Sequence, residues 1–182
     1  IESTFLTFSC ERLRDYMISY LPEGIHKKSK IIPHIGLSKS CVKTQTKAND
    51  VFVLCHTGWL PAERDPREFF QGMRLFLNRC NADKEVIVKI IGGQTCELYN
   101  AISECNLQEI VQLYPPRSYL GSLSEVASAD VAVLIEAPCE EGIFLPSKFV
   151  DYLRLGVPIM AVSPKEGTIN DVLKRSGGGM IA

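Results

Sequence analysis

The sequence predicts an α/β protein built on a doubly wound parallel sheet of about six strands. Three observations carry this. Apolar runs recur at 51–55, 86–91, 110–113, 131–135 and 159–162. Segments with apolar residues at helical spacing separate them, and Gly or Pro stands at many of the junctions. Near-continuous apolar runs without alternation, broken only by Lys89 and Gln112, suit strands buried on both faces, which is the parallel case.

The elements follow in order. Residues 1–49 read as a lead-in. A short strand spans 5–8, with Ser9 as the expected N-cap of a helix over 10–21 carrying Leu13, Tyr16, Met17, Tyr20 and Leu21 on one face. Pro22, Glu23 and Gly24 end that helix. Residues 26–30 form a basic loop, 31–36 are strand-like, and 38–49 are a polar connection. Residues 50–182 then alternate strand and helix. Asp65, Pro66 and Glu68 make a strong helix start after the first strand, and Phe69, Phe70, Met73, Phe76 and Leu77 mark its apolar face. Cys96, Tyr99 and Ile102 suggest the next helix, and Leu120, Leu123, Val126 and Ala127 the one after. Ile169, Val172 and Leu173 belong to the last. Met180 and Ile181, after three glycines, open a sixth strand.

Composition narrows the function classes. With 182 residues the chain can bury a core as one domain, or one domain plus a fragment. A hydrophobic share of 46%, with 23% charged, is that of an ordinary globular protein. A formal charge of −1 creates no global field to recruit nucleic acid or an anionic membrane. No apolar run reaches the roughly 18–20 residues of a membrane span, and no stretch reads as a secretory signal. The seven cysteines are odd in number and contain no Cys-x-x-Cys pair. They argue for a reducing compartment and against zinc or a disulfide framework. Ile1 in place of Met, and an end at Ala182 inside a strand, read as a piece of a longer protein.

The stretch 140–158 organises the rest. It follows an apolar strand, opens a helix at Pro146 and Ser147, where Ser147 can cap, and closes that helix with Gly156 and Pro158. Lys148 lies in the first turn, where the helix dipole disfavours a cation. Either it extends into solvent, or an anion sits there with it and with the free N–H groups.

In a parallel sheet ligands bind beyond the carboxyl ends of the strands, at the point where strand order reverses. The loops 56–65, 92–95, 114–118 and 136–147 lie at that end. Arg64 suits a bidentate phosphate contact, or pairs with Glu63 or Asp65. Asp151 accepts from sugar or ribose hydroxyls, or pairs with Lys148. Glu140 and Glu141 face either a ligand or solvent. His56 reaches the site or is a hydrogen-bonded structural histidine. No Gly-x-Gly-x-x-Gly follows the first strand and no P-loop exists, which disfavours nicotinamide and flavin dinucleotides and excludes P-loop phosphate binding.

The order of these motifs resembles the C-terminal, Rossmann-like half of a group-1 retaining glycosyltransferase with the GT-B fold. Gly58 followed by Arg64-Asp65-Pro66 is similar to the start of that domain. Leu113-Tyr-Pro-Pro-Arg117 and Ala127-Ser-Ala-Asp-Val131 are similar to its middle. Pro146-Ser-Lys-Phe-Val-Asp-Tyr-Leu, then Gly156-Val-Pro158, resembles the signature of members that assemble polysaccharides and cell-surface glycans. Residues 5–36 look like the family's inter-domain entry, so the resemblance divides the chain into a lead-in, 1–49, and a nucleotide-sugar-binding domain, 50–182.

The resemblance implies roles. Gly58, Arg64, Ser147 and Lys148 hold the donor diphosphate. Asp151 takes the place of a glutamate that binds ribose, and Glu141 or Glu140 stands in for an acid missing at Ile143. Tyr114, Pro115 and Arg117 meet the nucleobase. It further implies no cofactor and no metal, a nucleoside-diphosphate sugar as donor, and a glycan or lipid-linked acceptor bound by an N-terminal domain outside this chain. No nucleic acid partner is implied. The location it implies is cytoplasmic, with peripheral membrane association of the full protein as a variant. A nucleotide-sugar 2-epimerase, or a non-catalytic nucleotide-binding module, is the alternative.

Overall fold

In the computed structural model the described residues are 4–44, 50–79 and 84–182. The part of the expected connection at 45–49, and Cys80, lie outside them. The lead-in holds β1 (Leu6–Phe8), α1 (Glu11–Ile18) and β2 (Ser29–Ile31), with β1 and β2 paired in parallel. The main body then runs β3 (Val51–Thr57), α2 (Arg67–Arg79), β4 (Glu85–Ile91), α3 (Cys96–Glu104), β5 (Val111–Tyr114), α4 (Tyr119–Ala127) and β6 (Val131–Ile135). It continues through β7 (Glu141–Gly142), α5 (Ser147–Leu155), β8 (Ile159–Val162), β9 (Glu166–Gly167), α6 (Thr168–Ser176) and β10 (Gly179–Ile181).

The six-stranded sheet has the order β10-β8-β6-β3-β4-β5, and every pairing in it is parallel. The first apolar run of the main body is therefore central, as expected from its burial on both faces. Right-handed crossovers fix which face each helix covers. From β3 the chain steps outward through β4 to β5, and α2 and α3 pack on one face through Phe69, Phe70, Met73, Leu98, Ala101 and Ile102. From β6 it steps the other way, and α4, α5 and α6 cover the opposite face. Phe149, Tyr152 and Leu155 seat α5 with full burial, worth about 1.5–3 kcal/mol for each large side chain. Strand order reverses between β3 and β6, which opens a crevice beyond their carboxyl ends.

Four local expectations are corrected. Cys10, not Ser9, precedes α1, and no side chain caps that helix. The helix stops at Ile18 rather than Leu21, because the chain tightens into a turn in which Leu21 N–H donates to Ile18 O at 2.9 Å. The strand expected over 31–36 ends at Ile31, and Ile35 is exposed. Pro33 cannot donate to a ladder, and β1 offers only three residues to pair with. Ser147 is the first helical residue of α5 and Pro146 holds the cap position, with no side-chain cap bond. The start of α5 is thus left without a protein cap.

The small parallel pair β7 and β9 was not legible in sequence, since each strand is two residues long. It ties the loop after β6 to the loop after β8. Arg12 on α1 reaches this corner, with Nη1 at 2.5 Å from Glu141 and Nε at 2.6 Å from Asp171.

Candidate functional site

The crevice at the reversal point is built from three chain segments. β3 delivers His56, Thr57 and then Gly58. Gly58 has φ +111, a conformation that favours glycine, and a Cβ there would stand 2.7 Å from Lys148 Nζ. The ammonium of Lys148 therefore lies directly over the Gly58 backbone. A second close approach supports this loop: a Cβ on Gly92 would stand 2.1 Å from Gly58 O, so the chain after β4 crosses the chain after β3 at backbone contact.

Arg64 enters from the β3–α2 connection, on a turn closed by Arg64 N–H donating to Pro61 O at 2.8 Å. Its Nη2 lies 3.8 Å from Glu136 Oε1, at the end of β6. It does not pair with Glu63 or Asp65; Asp65 instead accepts from the Arg67 backbone at 3.0 Å and from its guanidinium at 2.5 Å. Asp65 thus bonds the first N–H of α2 from one residue before the cap position, which Pro66 holds; the expected helix start is there, but Pro66 is not its first helical residue.

Lys148 is half-buried. Burial, then the neighbouring Arg64 charge, lowers its pKa to about 8, against an upward pull from Glu136. Burial raises the Glu136 carboxyl, opposed by Arg64 and Lys148. His56 is fully buried and its Nδ1 lies 3.0 Å from Val133 O. Burial, with Lys148 next, lowers its pKa to about 3, so the ring is neutral at any ordinary pH. That makes His56 a structural histidine with an unpartnered Nε2. A neutral ring that donates from Nδ1 to Val133 O presents an acceptor at Nε2.

Two cations, a backbone approach allowed by glycine and an uncapped helix start thus converge. Ser147 is exposed at that same helix start. The remaining expected residues are placed differently. Asp151 is buried on α5 and accepts from the Tyr119 hydroxyl at 2.7 Å, which pushes the Tyr119 pKa up to about 12; it makes no ion pair with Lys148. Glu141 is held by Arg12 at the β7–β9 corner. Tyr114 ends β5 at the sheet edge, and Pro115 and Arg117 follow it. Arg117 stacks 5.8 Å from the Tyr114 ring centre and pairs with Glu125 at 3.3 Å, and Glu125 also takes Lys89 at 3.3 Å. Glu136, Glu125, Tyr119 and Tyr152 went unmarked as site or support residues in the sequence. A polar residue inside an apolar helix face, as at Glu125 and Tyr152, was the signal available.

No family model and no curated protein matches the chain. Solved structures do. A sucrose-phosphate synthase from Thermosynechococcus elongatus aligns with TM-score 0.72 at 12% identity, over 99% of this chain and 45% of that one. WaaG, a glycosyltransferase involved in lipopolysaccharide biosynthesis, aligns with TM-score 0.68 at 10% identity, over 98% of this chain and 48% of that one. The chain has the fold of the C-terminal half of a GT-B glycosyltransferase. The pneumococcal O-GlcNAc transferase GtfA, solved with UDP and GlcNAc, aligns with TM-score 0.57 at 13% identity, over 90% of this chain and 31% of that one. This GT-B half spans about half the length of the first two chains it matches. Among its described residues no helix is long and apolar enough to cross a membrane.

Proposed function

We propose that this chain binds the diphosphate of a nucleoside-diphosphate sugar and is the donor half of a glycosyltransferase. The acceptor, a glycan or a lipid-linked sugar, is held by the other half of the enzyme, at the inner face of a membrane or free of it. One observation carries the reading: Lys148 Nζ lies over Gly58, beside Arg64, at the uncapped start of α5. A helix start of this kind favours anions through free N–H groups and the dipole. Arg64 adds a guanidinium suited to phosphate oxygens.

In this reading the leaving diphosphate gathers negative charge as the bond to the sugar breaks. Preorganised cations and backbone N–H groups at that point stabilise it. Ser147 adds a donor at the same phosphate. Asp151, fixed by Tyr119, takes a ribose hydroxyl, and Tyr114, Pro115 and Arg117 border the base. Glu141, tied to Arg12, orders the loop on the sugar side. No metal or cofactor enters the proposal.

Calorimetry with UDP and GDP tests it. The 182-residue chain is expected to bind one of them at micromolar to millimolar strength, and the free nucleoside far less, with sugar transfer at background. Absence of binding to any nucleoside diphosphate would overturn the reading.

A further inference from the structure

We propose that Glu136 is a positioning residue of this site, the resident counter-charge that orients Arg64 and Lys148 toward the diphosphate. The proposal rests on reading the crevice as a diphosphate site. Its geometric basis is separate from that reading. Glu136 N–H donates to Val162 O at 2.9 Å, which pins the residue where β6 meets β8. Its side chain is only 14% exposed, and Oε1 sits 3.8 Å from Arg64 Nη2 without a hydrogen bond of its own. A buried carboxylate oxygen without a bonded partner is costly and calls for an explanation. The explanation here is electrostatic. Arg64 and Lys148 come from different segments and repel each other in a half-buried space. A fixed carboxylate between the β3 and α5 contributions offsets that repulsion and keeps both side chains over the crevice.

The groups facing Lys148 are Arg64, Glu136 and His56. His56 is held neutral, so it contributes no charge. Arg64 drives the Lys148 proton off, and Glu136 retains it. Glu136 thereby has two opposite effects on an incoming anion. It subtracts from the positive charge of the site, and it preserves the charge on Lys148. The first effect operates at every pH at which Glu136 is ionised, the second only near and above the pH where Lys148 titrates. Removing the carboxylate should therefore move the alkaline loss of binding to lower pH rather than simply weaken or strengthen it.

The experiment is calorimetric titration of the chain with UDP between about pH 7 and pH 9, a range centred on the Lys148 value of about 8. In the parent, affinity falls toward the alkaline end. In Lys148→Arg this fall is absent, because a guanidinium does not titrate there. In Glu136→Gln the fall moves to lower pH, because the opposite charge that retains the Lys148 proton is lost. At the acid end Glu136→Gln binds inorganic pyrophosphate at least as tightly as the parent. Glu136→Asp, which keeps the charge, shows the parent's profile. A second measurement does not need the glutamine variant to fold: by carbon NMR, the Glu136 carboxyl titrates at higher pH in Lys148→Met than in the parent. A Glu136→Gln profile that overlays the parent's, or a Glu136 titration indifferent to Lys148→Met, overturns the counter-charge and leaves the diphosphate site standing. Failure of the parent to bind any nucleoside diphosphate overturns both.

Discussion

The Tyr152 hydroxyl on α5 accepts the Thr57 N–H at 3.2 Å and lies 3.0 Å from Thr57 Oγ1, at the last residue of β3. Both residues are buried. The bond fixes the rotation of α5 about its own axis. Lys148 is one helical turn before Tyr152, and Gly58 is the residue after Thr57. One buried hydroxyl therefore sets the ammonium over the glycine.

Tyr152→Phe removes that hydroxyl and leaves the buried Thr57 N–H and hydroxyl without it. An unsatisfied buried donor costs about 1–3 kcal/mol. Urea unfolding should show a loss of that size, and UDP affinity should fall because α5 is no longer held in place. Unchanged stability would show that water or a shifted side chain satisfies Thr57.

Lys148→Ala and Arg64→Ala should each weaken UDP or GDP binding by roughly 10–150-fold, the equivalent of losing a charge-assisted contact worth about 1.5–3 kcal/mol. Free nucleoside should be affected much less. Lys27→Ala, on the exposed turn of the lead-in, is the control and should change little. Parent-like binding by Lys148→Ala would remove this residue from the site.

Gly58→Ala places a side chain at φ +111 and crowds Lys148 Nζ. The lysine tip can move aside, so the larger cost is the backbone, about 1–2 kcal/mol. Thermal unfolding should register that loss, and nucleotide affinity should drop with the displaced ammonium. Equal stability of the alanine variant would mean that the loop adopts another conformation at little cost.

Lys148 also links stability to pH. Its folded pKa, about 8, lies below its unfolded value of 10.5. Between those values the unfolded chain binds more protons, so this group makes the folded state more stable as pH rises through that window. Relative to Lys148→Met, the empty parent should gain stability from about pH 8 to 10.5. Saturating UDP should abolish the gain by stabilising the charged lysine. Parallel pH curves for parent and Lys148→Met would contradict it.

Arg12 makes a linkage of the same sign at acid pH. Its hydrogen bond to Asp171 holds that carboxyl below the ordinary value of 3.8. The stability from this pair is present above that value and is lost as pH falls through the lower, folded pKa. The partners are partly exposed, so each pair contributes about 1 kcal/mol or less. Arg12→Ala should flatten the acid limb of the stability curve and speed proteolysis of the lead-in. Protection of α1 unchanged in that variant would show that Cys10 and Leu13, packed on the main core, hold it alone.

The sequence by itself determined the alternation of strands and helices in the main body, the central place of β3, the start of α2 just after Asp65 and the end of α5 at Gly156. These are written in signals local to a few residues: near-continuous apolar runs, helical spacing, a carboxylate beside a helix start, a glycine with positive φ. It also marked Lys148, because a cation in a first helical turn conflicts with the dipole within one segment, and Arg64, as a guanidinium in the loop after the first apolar run. Only the tertiary structure decided what surrounds them. Thr57 and Tyr152 are 95 residues apart, and Arg12 and Glu141 are 129 apart. Nothing in either neighbourhood specifies the other. Glu136 reads locally as an acid ending a strand, and its burial beside Arg64 exists only once β3 and β6 pair. Charge and hydrogen-bond complementarity at such distances follows from the order in which parallel strands assemble, and that order is a property of packing rather than of any local stretch of chain.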